Sequence, residues 1–63
     1  MSEHDWYRRI GAELREERKR RGWTIYDVAA LLGHSGMAVS AWERGLRRMK
    51  AYDYDRLRKE GLV

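Results

Sequence analysis

The chain has no cysteine and no proline. The first absence rules out disulfides and thiolate metal sites. His4 and His34 are the only imidazoles, and two histidines cannot close a structural zinc site alone, so no metal or cofactor is expected. The second absence suits a chain made of helices, since proline interrupts a helix interior. No apolar run approaches the length of a membrane span, and no signal-peptide pattern precedes the charged N-terminus, so a cytoplasmic protein with no membrane partner is expected. No Gly-rich phosphate loop is present, the carboxylates scatter over expected helix surfaces, and neither histidine has a nucleophile at meaningful spacing. An enzyme is therefore not expected. At 63 residues, one domain with a small core and modest stability is expected.

What is abundant is charge. Charged residues make up 38% of the chain and the net charge is +4, but the distribution says more than the total. Between Arg18 and Lys50 stand eight cations (Arg18, Lys19, Arg20, Arg21, Arg44, Arg47, Arg48 and Lys50) against Asp27 and Glu43, a net of +6, leaving −2 for the rest. An excess gathered in one window suggests a polyanionic partner.

That window encloses the most informative stretch, Thr24 to Gly45, TIYDVAALLGHSGMAVSAWERG. Val28, Ala29 and Leu32 recur at helical spacing and define an apolar face. Gly33 stops this helix, because glycine takes the positive φ that a sharp helix–helix turn needs. Ser35 is placed to cap a second helix, which buries Val39 and Trp42 and ends near Gly45. Helix, short glycine-containing turn and helix make a helix-turn-helix pattern.

The flanking segments read as helices too. Ser2 and Asp5 form a capping box opening a helix over about 3–21, whose Trp6, Tyr7, Ile10 and Leu14 face the core while Arg15, Glu16, Lys19 and Arg20 face water. Basic residues at the end of this helix also suit its dipole. Gly11 inside it has no local justification beyond close packing. Thr24 and Asp27 form a second capping box, across which Trp23 and Val28 make a hydrophobic staple. Trp23 is read as a core anchor. Helices are expected over about 25–32, 36–44 and 51–60, with Gly36, Met37, Ser40, Ala41 and Arg44 on the outward face of the third. The loop GLRRMK is basic, with Leu46 and Met49 as apolar pegs and no acid nearby until Asp53. Tyr54, Leu57 and Tyr52 face inward on the last helix, and Leu62 folds back after Gly61 in a Schellman-type contact. The fold class expected is all-α, a compact four-helix domain containing a helix-turn-helix, with no strands.

The pattern T-x-x-D-V-A-x-L-L-G-x-S…V-S-x-W-E-R-G resembles the helix-turn-helix family of phage Cro proteins and lambda-type repressors, the XRE group, over roughly Ile10 to Leu57. The resemblance implies a sequence-selective binder of double-stranded DNA, acting as a transcriptional repressor in the bacterial cytosol or nucleoid, with the third helix in the major groove. It places Ser35, Gly36, Met37, Ser40 and Ala41 at base-facing positions. It puts Arg47, Arg48 and Lys50 on the phosphates, joined by Lys19 and Arg44, and it puts an ion pair between Arg18 and Glu43. Two departures stand out. The family's usual glutamine at the start of the second helix is Ile25 here, and the reading face has no Gln, Asn, Arg or Lys before Arg44, so strong bidentate base contacts are missing. The alternatives are a protein-interaction adapter or antitoxin-like module on the same fold, or an excisionase- or MerR-like architectural binder. The latter families usually carry the motif at the N-terminus with a wing after it. Since the chain stops at Val63 after the last helix, a monomer or weak dimer is expected, with two copies pairing on a palindromic site through Leu62, Val63 and Tyr52.

Overall fold

The computed structural model describes residues 2–63. Four helices follow one another, α1 (Glu3–Arg20), α2 (Ile25–Leu32), α3 (Gly36–Glu43) and α4 (Ala51–Lys59), and there is no strand among the described residues. All four start where the sequence predicts. Three stop one residue sooner, because the C-cap residues Arg21, Arg44 and Glu60 lead straight into a glycine reversal.

Local chemistry explains the first three starts, whereas α4 begins after Lys50 with no side-chain cap. The Asp5 N–H donates to Ser2 Oγ at 3.1 Å, and the Ser2 N–H donates back to the Asp5 carboxylate at 3.4 Å. Thr24 and Asp27 repeat the exchange at 3.2 and 2.7 Å. Each pair satisfies two N–H groups that the helix cannot. Ser35 caps α3 singly, accepting from the Ala38 N–H at 3.2 Å. Between α2 and α3 the chain turns at Gly33, whose φ of +71° is left-handed. A side chain there would add strain.

The core lies where the four helices converge. Leu14, Val28, Val39, Leu57 and Leu62 are fully buried, with Ile10, Ala29, Leu32, Trp42 and Met49 around them. α3 packs on both α1 and α2. Gly11 makes the first of these contacts possible: a Cβ there would overlap the Trp42 carbonyl oxygen and come within 3.0 Å of the Glu43 backbone. Close backbone approach thus justifies a residue that costs about 1 kcal/mol in helix propensity. Trp6 and Tyr7 are only half-buried, and Trp6 packs against Tyr54 with ring centroids 5.2 Å apart.

Several expectations need correction. Leu46 is exposed, so of the two apolar loop residues only Met49 enters the core. Tyr52 is also exposed, because α4 turns Asp53 and Leu57 inward instead. Leu62 does fold back, its N–H reaching the Leu57 carbonyl at 2.9 Å. Being fully buried in its own core, it is unavailable to a second copy. Asp53, expected on the surface, is 4% exposed.

Candidate nucleic-acid interface

α3 is anchored by one ionic contact. Arg18, in the last turn of α1, donates from Nε to Glu43 Oε2 at 2.6 Å and from Nη2 to Oε1 at 3.0 Å. Its Nη1 donates to the Trp23 carbonyl at 2.9 Å. Both residues are 9% exposed. A planar guanidinium bonded to both oxygens of a carboxylate is the strongest geometry for such a pair. Glu43 holds the Arg18 guanidinium above its ordinary pKa, mainly through these hydrogen bonds. The pair ties the end of α1 to the end of α3, and through Trp23 to the α1–α2 turn.

A second polar contact holds the helix-helix turn itself. His34 Nε2 lies 2.9 Å from Asp53 Oδ1, and the His34 ring meets Trp42 edge-on with centroids 4.9 Å apart. This joins the α2–α3 turn to α4. Sequence spacing carried no signal for it, because the partners are 19 residues apart. Arg56 reinforces the junction, donating to the Leu31 carbonyl at 3.1 Å.

With Ala38, Val39, Trp42 and Glu43 turned inward, α3 presents its other face to solvent. Met37 is 85% exposed. Ser35 and Arg44 are exposed, and Gly36, Ser40 and Ala41 are half-buried. Ser40 and Arg44 line a cleft of about 200 Å³ together with Arg15, Ile25 and the Arg18–Glu43 pair. Arg15, expected merely to face water, therefore stands beside the outward face of α3. Its spacing of three from Arg18 puts the two on one side of α1.

The basic window is less uniform than it looks in sequence. Arg20 and Arg21 both pair with Glu17, at 2.6 and 2.9 Å. Arg21 also donates to the Glu60 carbonyl at 2.9 Å and lies over the Trp23 ring. Arg48 pairs with Glu3 at the start of α1, an acid distant in sequence that the spacing to Asp53 concealed. The Tyr7 hydroxyl and then Glu3 raise the pKa of Arg48. Among the described residues, the window's cations with no carboxylate in ion-pair range are Lys19, Arg44, Arg47 and Lys50, all exposed.

Two helices joined by a left-handed glycine turn, the second presenting a solvent-facing side with unpaired cations at its C-terminal end, make the helix-turn-helix geometry. A family model described as helix-turn-helix matches residues 14–52. The chain belongs to this family, in its XRE group. No curated protein and no solved structure matches significantly. A helix-turn-helix chain of this group is a DNA-binding domain of the transcription-regulator type, and double-stranded DNA is the partner that the family implies. In this helix-turn-helix the matched span takes in α2, the turn, α3 and the following basic loop. No helix among the described residues is long and apolar enough to cross a membrane.

Proposed function

We propose that the chain is a Cro-like transcriptional repressor, cytoplasmic, which occupies an operator with α3 in the major groove. The observation that carries this reading is the pairing pattern of the cations. Lys19, Arg44, Arg47 and Lys50 stand exposed with no carboxylate in ion-pair range among the described residues, three of them just after α3, where phosphates flank a helix lying in the groove. Ser35, Gly36, Met37, Ser40 and Ala41 then meet base edges. Arg48 joins the phosphate set by exchanging Glu3 for DNA. Exposed ion pairs contribute little to stability, so the exchange is inexpensive.

The missing Gln, Asn, Arg and Lys on the reading face shift selectivity toward apolar contacts and duplex shape. Ile25 cannot supply the family's usual side-chain bond to a phosphate, but the N-terminus of α2 can still offer backbone N–H groups. Two copies reach a palindromic site with half-sites about one helical turn apart, associating weakly or not at all in free solution.

The test is a gel shift on random duplex DNA across a salt series, followed by selection of high-affinity sites from random DNA. A repressor binds random duplex weakly at low salt, loses that binding steeply as salt rises, and yields a defined site on selection. Absence of binding at low salt would reject DNA recognition in favour of a protein-interaction adapter on the same fold.

A further inference from the structure

One large side chain beside the outward face of α3 has no part in the roles above. Tyr26, the second residue of α2, is 75% exposed. Its ring nevertheless has a defined seat. A Cβ built on Gly36 would lie 2.7 Å from Tyr26 Cε1 and 3.0 Å from Cδ1, with Ile25 Cγ2 at 3.6 Å. The ring therefore rests against the first residue of α3 in space that any larger residue would claim. Met37, the next residue and 85% exposed, continues the same end of the helix.

We propose that the Tyr26 ring, seated on Gly36, forms with Met37 an apolar reading surface that selects the 5-methyl groups of thymine in the major groove. The proposal rests on the reading of α3 as the groove-entering helix. The N-terminal residues of such a helix are those nearest the base edges. Here that end of α3 carries the Met37 thioether, with the Tyr26 ring of α2 seated beside it on Gly36, in place of amide or guanidinium groups. In the major groove the feature that apolar groups distinguish is the thymine methyl. Burying large apolar side chains there is favourable only if they meet apolar surface, and every other base edge would leave polar atoms facing them unsatisfied. The cations around α3 supply the attraction to the duplex but no choice among sequences.

The experiment uses the highest-affinity duplex selected from random DNA, and copies in which single thymidines are replaced by 2′-deoxyuridine, which removes only the methyl. Wild-type protein should lose about fourfold in affinity at one or more of these positions, the equivalent of one buried methyl group. Tyr26→Ala should bind the thymine duplex less tightly and show little further loss on the uracil duplex. Tyr26→Phe should keep the discrimination, because the ring makes the contact. Gly36→Ala, which pushes the ring from its seat, should weaken it. Since Tyr26 is mostly exposed, the alanine variant should retain the wild-type circular dichroism spectrum.

Equal losses for Tyr26→Ala on thymine and uracil duplexes would overturn the proposal while leaving DNA binding intact. So would a selected site without thymine, or a Tyr26→Phe variant that behaves like Tyr26→Ala, which would transfer the contact to the hydroxyl. If wild-type protein bound no duplex at low salt, the DNA-binding reading itself would fall, and this proposal with it.

Discussion

Removing the Glu43 carboxylate should cost the protein a large part of its stability. Arg18 makes three hydrogen bonds, two to Glu43 and one to the Trp23 carbonyl. Glu43→Ala leaves the guanidinium with the last of these, in a setting where its side chain is 11% exposed. Losing one partner of a buried pair costs about 3–5 kcal/mol, and the small residual exposure of Arg18 argues for the lower end, about 3 kcal/mol. A chain of 63 residues has about 3–9 kcal/mol of total stability at typical per-residue values. The single substitution therefore consumes a third or more of what is available. Urea denaturation followed by tryptophan fluorescence, with circular dichroism in parallel, measures the loss. The double variant Arg18→Met/Glu43→Leu should recover most of it, because the penalty is chiefly the stranded charge and not the absence of the pair. The reasoning is refuted if Glu43→Ala lies within about 1 kcal/mol of wild type, the scale of an exposed pair, or if the double variant is no better than the worse single one.

Gly11→Ala should destabilise by about 1–3 kcal/mol through overpacking against the Trp42 carbonyl, despite a gain of about 1 kcal/mol in helix propensity; a thermal melt at or above the wild-type midpoint would contradict this. Ser2 holds the Asp5 carboxyl below its ordinary value, through its side chain first, and Arg20 followed by Arg21 does the same for Glu17. With folded values lowered, their contribution is complete above the ordinary pKa values of 3.8 and 4.5 and is lost as pH falls through the lowered ones; carboxyl-carbon NMR titration should show both depressions, and Ser2→Ala should reduce that of Asp5 without removing it, since the backbone N–H of residue 2 still donates to the carboxylate. Arg47→Ala should weaken binding to all duplexes alike and reduce the salt slope by about 0.9, whereas Met37→Ala should cost about 1–3 kcal/mol or less at particular base pairs only, which paired titrations of selected and random DNA would distinguish. Glu3→Gln should raise affinity for random duplex at low salt by releasing Arg48, and unchanged affinity would separate Arg48 from the phosphates.

The starts of α1, α2 and α3 were legible in the sequence because a cap is a local device. Ser2 with Asp5, Thr24 with Asp27 and the lone Ser35 each act within three residues, and each does in the structure what its spacing predicts. The same holds for Gly33, whose turn depends on one backbone conformation. Gly11 was legible only as an anomaly. Its reason is a carbonyl on α3, thirty-one positions away, and no window around residue 11 contains it. Leu46, Tyr52 and Asp53 were misplaced for a related reason. Short segments beside a loop have too few turns to establish a face, so the packing of neighbouring elements decides which residue points inward.

The candidate interface shows the same division between near and far. Counting charges along the chain locates the basic window but cannot say which cations are committed elsewhere. Arg20 is spent within its own turn by Glu17, which spacing could have revealed. Arg21 is paired with the same Glu17, but Arg48 is held by Glu3, and Arg21 reaches a carbonyl at the end of α4 as well, contacts that only the fold makes. What distinguishes Lys19, Arg44, Arg47 and Lys50 is therefore not their charge but the absence of a carboxylate within reach among the described residues. A cation paired internally must give up that partner before it can neutralise a phosphate, whereas an unpaired one gives up only counterions and water. Tyr26 was missed on the same principle. In sequence it is one more aromatic on a short helix, and it gains a place beside α3 only because Gly36 leaves the space for its ring.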